Sequence, residues 1–215
     1  MSARPPGPPP PARPPAAGRS SWYVGILAVI ILGYILVNTL RTEGNKAPSA
    51  GTDIRAFAAP LVLSELDGDA NVATPDNLGD AGEVPACSID RPDVLTVCPD
   101  GHPLVLGFYF TRGSDCAGSF DAMEKLQARY PKLRFAGVIV RGDRDEARKT
   151  VREHGWTFDV AYDRDGAVAN VYGVPGCPQV VLADGKGHVS ETLLGRDRAE
   201  RDLATHVAAL AKAQR

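Results

Sequence analysis

Leu104-Val-Leu-Gly-Phe-Tyr-Phe-Thr-Arg-Gly-Ser-Asp-Cys116 is the stretch whose reading decides the fold. An uncharged apolar run, Leu104 to Phe110, ends in a polar turn that delivers one cysteine to the start of a helix. The run is too short for an ordinary helix, so it reads as a central strand buried on both faces. Gly113, Ser114 and Asp115 supply turn and N-cap chemistry. From Cys116 to Tyr130 the spacing of Phe120, Met123 and Leu126 lines one helical face. A thiol at that helix start faces unpaired N–H groups and the positive dipole end, which favour thiolate, while Asp115 opposes them. The plainer alternative is a buried cysteine used as a small apolar residue.

The 215 residues allow one ordinary domain plus extensions. A net charge of −2 and the lack of a basic patch argue against nucleic acid as a partner. The four cysteines all lie beyond Pro85. An even number points to disulfides in an oxidising compartment and to metal or catalysis in a reducing one. The N-terminal segment decides between them.

Residues 1–21 are mostly Pro, Ala, Gly and Arg, with no acidic residue. They cannot bury a core and are expected to be a disordered cytoplasmic tail with polyproline character. Trp22 to Leu40 is uncharged and long enough for a spanning helix, which needs about twenty residues. Trp22 and Tyr23 stand where an interfacial aromatic belt would be. A cleaved signal peptide is the rival, but Ala47-Pro-Ser-Ala50 is a poor cleavage site. Arg4, Arg13 and Arg19 before the span, against Arg41 and Lys46 after it, put the N-terminus in the cytoplasm. The expectation is a single-pass cell-membrane protein, held in the lipid bilayer through residues 22–40, with a linker over 41–56. The cysteines then lie outside the cytoplasm, where disulfides persist.

Phe57 to Gly68 reads as a short strand ending in a turn. Asp69 to Asp100 is a long irregular stretch rich in Gly, Pro, Asp and Asn, and such a loop is usually functional or pinned. Cys87 and Cys98 lie inside it among Pro85, Pro92 and Pro99. A structural disulfide there would contribute roughly 3 kcal/mol by loop entropy. No neighbouring residue would activate either thiol.

Leu133 to Val140 reads as a strand, Asp143 to His154 as an exposed helix ended by Gly155, and Trp156 to Ala161 as a strand. Tyr162-Asp-Arg-Asp-Gly166 reads as a turn and Ala167 to Tyr172 as a short helix. Gln179 to Ala183 and His188 to Leu193 flank a hairpin turn, Asp184-Gly-Lys-Gly187. Asp197 to Ala213 closes the chain as a helix. This order describes an α/β domain with a mixed central sheet flanked by helices. The four histidines have no metal-ligand spacing with a cysteine and default to the surface; no metal is expected.

With these elements placed, several strings resemble the thioredoxin-like superfamily, most nearly its membrane-anchored TlpA/ResA-type thiol-disulfide oxidoreductases. They are Gly101-His-Pro-Leu-Val-Leu-Gly-Phe-Tyr-Phe before the active-site turn and Ala59-Pro to Leu66-Asp-Gly68 as an opening hairpin. Val151-Arg-Glu-His-Gly-Trp-Thr-Phe, Tyr162-Asp-Arg-Asp-Gly166 and Tyr172-Gly-Val-Pro-Gly-Cys-Pro178 follow in family order. The resemblance covers residues 57–215 and implies a thioredoxin-like domain with the cysteine-containing loop 69–100 inserted in it.

The departure lies in the turn. The family pattern W-C-x-x-C is replaced by Arg112-Gly-Ser-Asp-Cys116, so the usual first cysteine is Gly113 and only the second remains. The resemblance places a cis-proline beside this turn, at Pro178, and the residue before it is Cys177. It therefore implies a Cys116–Cys177 pair, with Arg112, Gly113, Ser114, Asp115 and Pro178 forming the active-site loop around it. Two functions follow. One is a thiol-disulfide oxidoreductase with a rearranged catalytic dithiol, acting on extracytoplasmic protein thiols and disulfides without a cofactor. The other is a non-catalytic module, stapled by two structural disulfides, that binds an envelope partner. Thiol peroxidases of the superfamily use T-x-x-C, and Thr111 is too far from Cys116 for that. Copper-chaperone relatives use a two-cysteine turn and a distant histidine; His188 would suit the second role, but the turn has one cysteine.

Overall fold

Leu104–Phe110 forms strand β3 and lies in the middle of a five-stranded sheet. The structure, a computed structural model, describes residues 20–41, 46–78, 84–111 and 116–213. The chain divides into two compact units, Met1–Glu43 and Gly44–Arg215. In the first, Ser20–Arg41 forms a 22-residue helix, α1. Its described side chains, residues 22–34, are all exposed. Among the described residues no helix is long and apolar enough to cross a membrane. The span expected to Leu40 runs past those side chains, and the expected tail over 1–19 lies outside the described residues.

The second unit has a thioredoxin-like arrangement. On either side of β3 lie β4 (Arg134–Val140) and β6 (Gln179–Ala183). The edges are β5 (Asp159–Asp163) and β7 (Val189–Leu194), in the order β5-β4-β3-β6-β7. The β3, β4 and β5 strands run parallel, and β6 is antiparallel to β3 and to β7. The uncharged run of β3 follows from burial on both faces. Val105 joins the core against helices α2 (Ala117–Arg129), α3 (Arg144–His154) and α5 (Leu203–Ala213). Leu104, Leu106 and Phe108 pack the other way, against β1 (Phe57–Pro60), β2 (Val94–Val97) and α4 (Ala167–Val171).

Helix α2 can lie down on the sheet because two paired residues beneath it, Gly107 and Gly137, lack side chains. A Cβ on Gly107 would stand 2.7 Å from the Met123 sulfur, and one on Gly137 would stand 2.5 Å from the Phe120 ring. Phe120 fills that hollow and meets Tyr109, Trp156 and Phe158 in tilted ring contacts, at centroid distances of 4.8–5.7 Å.

Several expectations need correction. The irregular stretch 69–100 contains strand β2, which pairs antiparallel with β1, so the opening hairpin is closed by a partner far along the chain. The strand expected at Trp156 starts at Asp159 and takes in Tyr162 and Asp163. Asp163 is fully buried, and its carboxylate accepts from the Val168 and Ala169 amides at 3.1 and 2.9 Å. The α3 helix ends as expected at a left-handed Gly155, and Asp143, expected as its first residue, is instead its cap, but the helix is not simply exposed. Arg144 donates to the carbonyls of Leu61, Ser64 and Leu66, and Arg148 to those of Val62 and Ser64. These two cations gather the carbonyls of the bend that follows β1 and so hold it in place. The closing helix begins as a separate π-helical turn, Asp197–Arg201, before α5.

Candidate functional site

The antiparallel pairing of β3 with β6 brings the two distant cysteines together. Phe108 near the end of β3 pairs with Gln179, the first residue of β6. Cys177 and Pro178, just before β6, therefore extend past the end of β3 where the chain turns towards Cys116. The two residues are joined by a disulfide with their Cα atoms 5.8 Å apart. The Cys177–Pro178 peptide bond is cis. Arg112, Gly113, Ser114 and Asp115 lie outside the described residues. The cap position expected of Ser114 or Asp115 is held by Cys116 itself, since α2 starts at Ala117.

The two sulfur-bearing residues are not equivalent. Cys116 is fully buried, whereas Cys177 is partly exposed. Cys116 sits at the positive end of α2, whose first amides lack helical acceptors, so a negative charge on its sulfur is favoured there. The buried Ser119 donates its hydroxyl to the Cys116 carbonyl at 2.9 Å and fixes the first turn. Glu200, in the π-helical turn, was not legible as a neighbour of the site. Its carboxyl carbon would lie 2.7 Å from a Cβ on Gly118, which puts an acid against the first turn of α2. Sequence carries no signal for that approach, because Glu200 and Gly118 are brought together only by the packing of the last segment on α2.

Cys87 and Cys98 form the other disulfide, one in a 3-10 turn, Ala86–Ser88, and one just after β2. Cys98 precedes the start of β3 and Cys116 follows its end. Seven extended residues span about 20 Å, so the two disulfides belong to opposite ends of the sheet. His188 also belongs to the far end, because the turn after β6 lies beside the start of β3. Its ring nitrogens lie 3.6 and 3.4 Å from the carboxylates of Asp53 and Asp184. A joint role with Cys116 is ruled out by that placement. Among the described residues no group of three His, Cys, Asp or Glu side chains is arranged to hold a metal.

Fold and site together define a thioredoxin-like protein, and comparison with known proteins narrows the class. The AhpC/TSA family model matches residues 88–192. The thioredoxin-like protein YneN of Bacillus subtilis is 25% identical over 178 residues, covering 81% of this chain and 89% of that protein. Thiol-disulfide oxidoreductase ResA of Bacillus anthracis is 31% identical over 106 residues, 47% of this chain and 60% of that one. Thiol:disulfide interchange protein DsbE of Escherichia coli K12 is 30% identical over 107 residues, 46% of this chain and 55% of that one. The match thus spans little more than half the length of the ResA and DsbE relatives. A DsbE-type protein from Chlorobium tepidum superposes with a TM-score of 0.58 at 21% identity, over 77% of this chain and 99% of that one, which speaks to the fold. The chain has a thioredoxin-like fold and is similar to proteins of the TlpA/ResA-like kind, with a non-standard turn that keeps one cysteine.

Proposed function

We propose that this chain is a membrane-anchored, extracytoplasmic thiol-disulfide oxidoreductase that works through Cys177 and Cys116. The observation that carries the proposal is the unequal burial of two cysteines at one helix N-terminus. Cys177 offers the accessible sulfur. In the reducing direction its thiolate attacks a substrate disulfide, forming a Cys177–substrate mixed disulfide and expelling the substrate's other thiolate. Cys116 then attacks the Cys177 sulfur, re-forming the Cys116–Cys177 bond and releasing the second substrate thiolate. In the oxidising direction the steps reverse, and Cys116 leaves as a thiolate favoured by the helix terminus. Anchoring rests on the uncharged run from Trp22 to Leu40 within a single helix. A protease added to intact cells is then expected to reach the thioredoxin-like domain but not a reporter fused at Met1.

The full-length chain in detergent provides the decisive test. A catalytic pair has an equilibrium potential between about −120 and −270 mV, within reach of exchange partners. Cys177 alkylates faster than Cys116 once the pair is reduced, and Cys116→Ser traps a mixed disulfide on Cys177. The complete burial of Cys116 favours one other reading, a structural staple. A potential well below about −300 mV, with both thiols slow to alkylate, selects that reading and ends the catalytic one.

A further inference from the structure

Beyond the ends of β3 and β4 lies a groove of about 370 Å³ that the exchange steps do not use. Phe110 and Val140, partners across the two strands, form one wall. Ala169 of α4 forms another, and Val174 and Pro175, in the segment that runs into Cys177, complete it. Among the described residues Arg141 is the one charged residue lining the groove. It is exposed, and among the described residues no carboxylate pairs with it. The nearby acids are otherwise engaged. Asp163 accepts from the α4 amides, Asp165 accepts from Ala167, and Asp67 and Asp69 pair with Arg164.

The backbone holds Arg141 there against its preference. Among the described residues it is the one non-glycine with a positive φ, 56°. The Arg141 amide donates to the Asp163 carbonyl at 2.8 Å, and the Tyr162 hydroxyl donates to the next carbonyl, Gly142, at 2.8 Å. The side chain passes over Gly166, where a Cβ would stand 2.6 Å from its Nε. A guanidinium with no carboxylate partner among the described residues, held over an apolar groove that leads to a reactive sulfur, suits a carboxylate on an incoming chain.

We infer that this groove receives the extended segment flanking the reactive cysteine of a substrate protein, and that Arg141 selects an acidic side chain in that segment. The inference rests on the exchange reading, since the mixed disulfide at Cys177 lays the substrate chain beside Val174 and Pro175. The probes are three decapeptides that differ only in carrying Glu, Gln or Lys three residues from a single cysteine. With the thiol blocked as a mixed disulfide with 2-nitro-5-thiobenzoate, the reduced full-length chain releases the coloured thiolate and forms a Cys177–peptide disulfide. With the thiol carbamidomethylated, anisotropy of a fluorescent label reads binding alone. Under single-turnover conditions with peptide in excess, the expected result is about tenfold lower half-saturating concentration and Kd for the Glu peptide than for the Lys peptide, at similar limiting rate of thiolate release, with the gap shrinking in high salt. Arg141→Glu inverts the order. Arg141→Lys keeps it, and Arg141→Gly, which suits the positive φ, abolishes it. Exchange with no charge preference, unchanged in Arg141→Glu, overturns the groove and leaves the exchange reading standing. A charge preference in binding without exchange keeps the groove and removes the exchange reading. Loss of both ends both.

Discussion

A buried acid, Asp163, shows how one residue ties the sheet to the groove. It ends β5, and both carboxylate oxygens accept amides from the first turn of α4. Burial is the largest influence on its carboxyl and pushes the pKa up, against the pull of those two hydrogen bonds. The folded state therefore holds the proton more tightly than the unfolded chain does. As pH rises from the ordinary carboxyl value of about 3.9 towards the raised one, the unfolded chain ionises first and stability falls. Above the raised value this contribution is constant. Asp163→Asn cannot ionise and should lack that decline. Urea unfolding of both proteins across the acid range tests it, and the stability of Asp163→Asn relative to the parent should grow as pH rises. Parallel curves would remove Asp163 as the cause.

Among the elements, α2 has the most demanding fit, because its N-terminus must reach Cys177. The hollow left by Gly107 and Gly137 lets Phe120 and Met123 approach the sheet backbone. Gly137→Ala drives a methyl into the Phe120 ring and should cost about 1–3 kcal/mol, as overpacked cores do. Phe120→Leu in the same chain vacates that space, so the double variant should be more stable than the sum of the two changes implies. A denaturant double-mutant cycle measures the coupling. Strict additivity would mean that α2 moves away without cost. The lifted helix should also slow re-formation of the Cys116–Cys177 bond, which oxidation kinetics of the reduced chain would record.

For the whole molecule, the placement of the two disulfides at opposite ends of β3 predicts that they act independently. Cys87 and Cys98 close a loop with a sequence separation of 11. Replacing both with Ala should lower stability by roughly 2–4 kcal/mol through the greater freedom of the unfolded chain. The potential of the Cys116–Cys177 pair should stay within experimental error of the parent, because the intervening sheet is rigid and transmits no alternative state. Calorimetry of the full-length chain and redox titration of the same variant provide the check. A shifted potential would show that the β1–β2 ribbon communicates with the site.

Periodicity and turn chemistry in the sequence determined β3, α2, the Asp184–Gly187 turn and the Gly155 end of α3. These depend on contacts within a few residues, which a single chain displays. Family resemblance supplied the thioredoxin-like arrangement of those elements and the expectation that Cys116 and Cys177 meet. Strand β2 escaped notice because its four residues, Val94–Val97, are hidden between prolines and a cysteine, and its partner β1 lies far upstream. Burial of Asp163 was equally hidden, since a Tyr-Asp-Arg-Asp-Gly string carries the composition of an exposed turn. Only the tertiary structure decided that Arg144 and Arg148 grip the chain after β1, that Glu200 lies against the first turn of α2, and that Arg141 stands over a groove. It also decided which cysteine is buried. Burial and long-range charge placement arise from how separate elements pack, and no local pattern in one stretch records what another stretch will cover.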